Sequence, residues 1–298
     1  MPEIRKDDKK DSPFCHRIRL TVAYDGTAYC GSQLQNNGPT IEGELHKAIE
    51  SLTGTDVKII SASRTDAGVH SMGNVFVFDT QMRMPADKFS FALNQRLPDD
   101  IVVQDSREVE PDWHPRHCDS IKTYEYRIWN APFPDPIKRN TALFYHHNLD
   151  VERMKEAAAY FIGEHDFASF CSSGSAVKTT VRTVYACDVF CDPVNDSNLS
   201  LKAASLSDHE EAGAAENNPG HLIAETNPRR LITIRVSGGG FLYNMVRIMA
   251  GTLIQVGSGE RAPEEIPEIL AACDRTAAGP TAPAHGLMML GIKYDDRR

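Results

Sequence analysis

Residues 57–78 read VKIISASRTDAGVHSMGNVFVF, and their pattern decides the fold class. Val57 to Ser61 has the composition of a strand. Asn74 to Phe78 is apolar at successive positions, so it presents apolar side chains to both faces of a sheet and predicts a central, covered strand. Between them, Ala62 to Ser71 is a polar loop containing Gly68, a residue tolerant of turns and of close backbone approach. Two strands joined by such a loop, one needing cover on both sides, call for a layered α+β unit.

Reading outward, His16 to Tyr24 alternates apolar and polar residues, with Ile18, Leu20 and Val22 on one side, and predicts a half-buried strand. Thr40 opens a helix whose apolar positions are Ile41, Leu45, Ala48, Ile49 and Leu52, and Gly54 closes it. Pro85 starts a second helix to about Leu97, and Ile101 to Val109 is the next strand. A similar order recurs downstream: strands at 122–129, 179–191, 231–237 and 287–294, with helices at 150–162 and 241–256. The expectation is two α+β halves of ferredoxin-like, RRM-like type sharing a mixed, largely antiparallel sheet, with helices packed on one face. A charged tail occupies 1–15, the first half 16–112 and the second half 113–298. Residues 192–228, rich in Asn, Ser, Ala, Asp and Glu and poor in aromatics, interrupt the second half as a solvated polar insertion.

The chain has 298 residues, 32 Lys plus Arg and 41 Asp plus Glu, for a formal charge of −9. A negative balance of this size argues, at first sight, against a nucleic-acid partner. No apolar run approaches the ~20 residues of a bilayer-spanning helix, so no membrane association is expected. The N-terminus lacks the apolar core of a secretory signal. Seven cysteines, odd in number and without a C-x-x-C pair, point away from a disulfide framework or zinc ribbon and toward a reducing cytoplasm. The histidines include no H-E-x-x-H arrangement, and no metal site is expected.

Two segments concentrate chemistry-bearing residues. Ser63 to His70 places Arg64, Asp66 and His70 in a loop between strands, where a rigid sheet can aim side chains into a cleft. A carboxylate there is a nucleophile, a general base or a turn cap. The segment 238–251, GGGFLYNMVRIMAG, is neither a P-loop nor a dinucleotide fingerprint. Its helix is apolar nearly all round and therefore buried. Tyr243, Arg247 and Gly251 recur at four-residue steps along it, and a buried guanidinium needs an acidic partner. His165-Asp166 with Cys171 has the residue types of a hydrolase, but no third orienting group and no oxyanion site accompany them.

RTDAGVH (64–70) followed by an apolar strand resembles the signature of the TruA family of tRNA pseudouridine synthases. FLYNMVR (241–247) is similar to that family's FLYHMVR. Further similarities are YDGTAYCGSQLQ (24–35), WHPR (113–116) with TYEYRI (123–128), GEHDFASF (163–170) and APAHGLMML (282–290). The resemblance covers almost the whole chain and implies the pseudouridine synthase fold. It implies isomerisation of uridine to pseudouridine at tRNA positions 38 to 40, with no cofactor, in a cytoplasmic homodimer. It also assigns roles. Asp66 is the catalytic aspartate, and Arg64 helps flip the target nucleotide. Tyr124 stacks on the base, Arg247 pairs with the aspartate, and Leu290 closes the base pocket. His70, Asn244, His165 and Phe167 are supporting residues, the last two organising the floor of the cleft. A non-catalytic RNA-binding protein of the same fold is the alternative, although the RNP1 pattern is absent and binding alone does not require an acid facing RNA.

Asn244 stands where the family has histidine, Ser71 replaces a common alanine, and Pro115 and His117 alter the family's FHARF while Arg116 is kept. The charge objection weakens once its location is considered. Seven acids (192, 196, 208, 210, 211, 216, 225) face one base, Lys202, within 192–228. The acidity is thus mostly that of the insertion, whereas the segments expected around the cleft carry Arg64, Arg116, Lys122, Arg127 and Arg247.

Overall fold

The computed structural model describes residues 15–172, 174, 177–194 and 229–295. The tail read over 1–15, apart from Cys15, and most of the insertion read over 192–228 lie outside the described residues. The chain divides into two compact units, residues 1–122 with 289–298, and residues 123–288.

In the first unit, β1 (His16–Tyr24), α1 (Ile41–Thr53), β2 (Ile60–Ser61), β3 (His70–Thr80), α2 (Phe89–Asn94) and β4 (Ile101–Val109) follow in order. The final strand of this unit belongs to β10 (Leu287–Tyr294), and the strand order is β4-β1-β3-β10, with β2 on β3. β1 pairs antiparallel with both β3 and β4. Ile18, Leu20 and Val22 from β1, Phe76 and Phe78 from β3, Ile41, Leu45 and Ile49 from α1, and Phe89 and Leu93 from α2 form one buried core. The opposite face carries a smaller cluster of Ala62, Val75 and Tyr294, with Trp113 and Ile292 packed on it. β3 is therefore covered on both sides, as its unbroken apolar run requires.

The helix ends follow local chemistry. The Thr40 hydroxyl accepts from the Gly43 amide at 3.2 Å, a cap worth about 1 kcal/mol. Gly54 closes α1 at φ 70°, a left-handed conformation that suits glycine. The helix expected over 85–97 is shorter, a 3-10 turn at 86–88 followed by α2 at 89–94. Asn94 ends it by using its side-chain amide to meet both backbone groups of Val103 on the edge strand. The strand expected over 57–61 is reduced to Ile60–Ser61, which pair with Val77 and Phe76. β1 holds one edge of β3, and β10 lies beside it near Gly73, where Leu290 O is 3.2 Å from an added Cβ. Only a short stretch of the second edge remains for β2. Val57 and Ile59 still bury their side chains in the core.

The second unit contains most of β5 (Ser120–Asn130), β6 (Leu143–Tyr145), α3 (Val151–Ala159), β7 (Gly163–Asp166), β8 (Val181–Pro193), β9 (Arg230–Gly238), α4 (Met245–Gly257) and α5 (Glu265–Ala272). Its strand order is β5-β9-β8-β7, with β6 parallel to β5. β8 pairs antiparallel with β7 and with β9. β8 and β9 extend to Pro193 and Arg230, so the first two residues assigned to the insertion are strand. α4 is buried nearly all round, from Met245 to Gly257. It begins at Met245 because Asn244 is left-handed, φ 61°. Tyr243 consequently lies off the helix and exposed, while Arg247 and Gly251 remain one turn apart.

β6, β7 and α5 were not expected. β6 and β7 are only three and four residues long, too short for a period to register. α5 carries Pro267 at its third residue; at that position the missing N–H has no intrahelical acceptor anyway, so the helix tolerates it. The mixed sheet, with five α-helices among the described residues, is the α+β pseudouridine synthase fold expected from the sequence. No helix of the described residues is long and apolar enough to cross a membrane.

Candidate active site

In the first unit the loop between β2 and β3 is clamped from below by buried polar groups. The Thr65 amide donates to Ser32 Oγ at 2.8 Å, and the Ser32 amide donates to Thr65 O at 3.0 Å. The hydroxyls of Tyr24 and Thr65 are 2.8 Å apart. Asn74 Nδ2 donates to Ser63 O at 3.0 Å and to the Tyr24 hydroxyl at 3.2 Å. Burial pushes the Tyr24 phenol upward, partly offset by its hydrogen bonds to Thr65 and Asn74, so it stays a neutral strut. Gly31, at φ 102°, lets the neighbouring chain approach: an added Cβ would sit 2.8 Å from Thr65 O.

These contacts fix the residues just before Asp66. Asp66 is half-buried, its carbonyl accepts from the Val69 amide at 3.1 Å, and Gly68 turns the chain at φ 77°. Arg64 is exposed two residues before it. His70 is buried at the start of β3, its Nδ1 3.1 Å from the Gly26 amide and 3.0 Å from Asp25 Oδ1. Asp25, despite the opposing effect of burial, is held below the usual carboxylate range by Thr27 and by His70. Leu290 lies half-buried on β10. The rigid turn thus leaves one carboxylate and one exposed guanidinium on a short loop.

In the second unit, Tyr124 on β5 is buried, with its ring edge-on to Phe241 at 5.2 Å between centroids. Two residues along, Tyr126 donates its hydroxyl to Pro283 O at 2.9 Å. Burial pushes the Tyr126 phenol upward, against a lowering by the positive charge of Arg247. Arg247, in the first turn of α4, is fixed on two sides. Nε donates to Ala282 O and a terminal nitrogen donates to Asn244 Oδ1, each at 2.8 Å. Asn244 Nδ2 in turn donates to Ser172 Oγ at 2.9 Å. The 280–282 segment that receives Arg247 can lie against α4 because Gly251 has no side chain; an added Cβ would fall 1.9 Å from Pro280 O. Arg127 and Arg235 both bind the buried Glu125 carboxylate, at 3.0 and 2.6 Å.

His165 lies on β7 and Phe167 directly follows that strand. β7 is the far edge of the order β5-β9-β8-β7, so three strand spacings, on the order of 14 Å, separate it from β5. His165 Nε2 is 3.0 Å from Ile162 O, and the Asp166 carboxylate accepts from the Ala168 amide. Both groups are used locally. Phe167 is fully buried among Phe161 and Phe170.

Several supporting residues escaped the sequence reading. Tyr24 and Ser32 fall within YDGTAYCGSQLQ (24–35), but nothing in that stretch or around Ser172 marks them as struts of the loop or of Asn244. Asn74 could have been found, since a lone amide opening an otherwise apolar, doubly covered strand must hold specific partners.

A family model described as tRNA pseudouridine synthase matches residues 20–117 and 157–295. The tRNA pseudouridine synthase A of Ruminiclostridium cellulolyticum is 43% identical over 278 residues, covering 93% of this chain and 99% of that protein. The proteins of the same name from Brevibacillus brevis and Acetivibrio thermocellus are 41% and 40% identical, with the same coverage. With that extent of match, the chain belongs to the TruA family of tRNA pseudouridine synthases.

Proposed function

We propose that this protein isomerises uridine to pseudouridine in tRNA, with Asp66 as the catalytic carboxylate. The observation that carries the reading is the loop itself. Its one carboxylate is half-buried on a turn whose neighbours are pinned by Tyr24, Ser32 and Asn74, in a chain of this family. Pinning matters because a carboxylate acts efficiently only when its approach to the reacting atom is pre-set.

The reaction breaks the N1–C1′ bond, turns the uracil and joins C5 to C1′. The proton lost from C5 is matched by the one gained at N1, so the product is an isomer. Asp66 can attack C1′ or remove a sugar proton. Because the target base is stacked in RNA, it has to be extruded. Exposed Arg64 is suited to a phosphate or to the vacated stack, and Tyr124 offers an aromatic face for the base. Arg247 and Leu290 complete the proposed substrate-binding set, supported by His70 and Asn244. We place His165 and Phe167 in the supporting framework of the second unit.

The anticodon arm, positions 38 to 40, is the proposed target, and a cytoplasmic homodimer the proposed working form. Asp66→Asn, incubated with tRNA and scored by mass spectrometry, is expected to make no pseudouridine. Wild-type turnover by that variant overturns the catalytic assignment. Absence of product from the wild-type protein would leave binding alone as the function.

A further inference from the structure

The segment from Trp113 to Lys122 carries Arg116, Lys122, His114 and His117 against one acid, Asp119. Lys122, at the start of β5, is half-buried, and its Nζ donates to Ala62 O at 3.3 Å. Ala62 opens the loop that carries Arg64 and Asp66. Burial, reinforced by the positive charge of Arg116, holds the lysine below its ordinary range. Arg116 is exposed, and its amide donates to His114 Nδ1 at 3.2 Å. His114 and His117 stack with ring centroids 3.9 Å apart. Burial depresses His114 as well, followed by the positive charges of His117, Arg116, Arg17 and Lys58.

Among the described residues, no ion pair within 4.0 Å joins Arg116 or Lys122 to a carboxylate, whereas Arg17 in the same unit is held by Asp79 at 2.7 Å. Holding a poorly hydrated ammonium beside a guanidinium is unfavourable by itself. Pro115 O accepts from the Tyr294 hydroxyl at 3.0 Å, and Tyr294 packs with Ala62 in one cluster, which brings the residue before Arg116 to the same cluster as the carbonyl that anchors Lys122. An anion between two such cations offsets their repulsion. We propose that Arg116 and Lys122 form a binding site for a backbone phosphate of the RNA substrate, beside the catalytic loop. The proposal rests on the RNA-modifying function above. Lys122 acts as a point charge anchored from behind by the Ala62 carbonyl, and Arg116 as a mobile fork that closes on the phosphodiester from solvent. Contacts of this kind set the register of RNA on a protein without reading its sequence. The site thus positions the strand relative to Asp66.

The test is tRNA affinity, by filter binding, for wild type, Arg116→Gln, Lys122→Met and Lys122→Arg across about 50 to 200 mM KCl. Arg116→Gln and Lys122→Met should each raise Kd about tenfold at the low-salt end and reduce the slope of log K against log salt by about one. Lys122→Arg should keep the wild-type slope. Wild-type slopes in Arg116→Gln and Lys122→Met overturn the site. Equal weakening by Lys122→Arg and Lys122→Met also overturns it, since that pattern reports packing. Should Lys122→Met fail to fold, the exposed Arg116→Gln decides alone. Pseudouridine formation by the wild-type protein is scored separately. A lost slope with no wild-type product sinks the activity and keeps the phosphate site; normal product with unchanged slopes sinks only the site.

Discussion

Asn244 accepts a hydrogen bond from the Arg247 guanidinium at 2.8 Å while its own backbone is left-handed, φ 61°. One residue therefore ends the incoming loop, starts α4 and orients the only arginine of that helix. Asparagine is among the few non-glycine residues that enter this conformation readily, and its amide can accept from Arg247 while donating to Ser172. Histidine is enriched in the same backbone region.

Replacing Asn244 separates these duties. Asn244→Gly keeps the backbone easy and removes both side-chain bonds; Asn244→Ala adds about 1–2 kcal/mol of left-handed strain. In urea melts Asn244→Ala should be less stable than Asn244→Gly by about that amount. Pseudouridine formation should fall in both, because each removes one of the bonds that orient Arg247.

Asn74→Ala should uncouple the loop from the sheet. It removes the hydrogen bonds to Ser63 O and to the Tyr24 hydroxyl, at a cost of about 1–3 kcal/mol. Denaturant melts measure that cost. Turnover should drop at temperatures where the variant is still folded, since Asp66 loses the anchor on the residues before it.

Gly251→Ala should be among the most damaging single-methyl changes in the chain. The new Cβ would lie 1.9 Å from a backbone oxygen of Pro280, an atom that cannot swing aside as a side chain can. A loss exceeding about 3 kcal/mol is expected in thermal or chemical melts. Any folded fraction should have weak turnover, because the displaced 280–282 segment receives Arg247 Nε.

Lys122 gives a pH signature in stability. Its folded-state pKa is depressed by burial and by Arg116, so the folded protein holds that proton less tightly than the unfolded chain. Stability from this group is therefore present above the ordinary lysine range, near ~10.5, and lost as pH falls through the depressed value. Below the depressed value the full penalty applies. Lys122→Met should melt at or above the wild-type temperature at pH 7, with the difference shrinking as pH approaches 10.

The proposed homodimer is checked by light scattering, where twice the 33.0 kDa chain mass is the expected result and a 33.0 kDa particle contradicts it.

Much of this molecule was already determined by the order of its residues. The alternation of Ile18, Leu20 and Val22, the unbroken Val75–Phe78 run, and the Thr40 and Gly54 helix stops each specify their own element, because periodicity and capping act over a few residues. RTDAGVH and FLYNMVR pointed to the family for a different reason: they are contiguous. The tertiary structure alone decided what contiguity cannot encode. It shortened β2, because β1 and β10 occupy most of the edges of β3. It took Tyr243 off the helix through one left-handed residue. It brought Tyr24, Ser32 and Asn74 beneath the 63–69 loop, and it set Lys122 behind Ala62 with Arg116 as its neighbour. Hydrogen bonds and desolvation depend on distance through space, and residues tens of positions apart along the chain acquire that distance only when it folds.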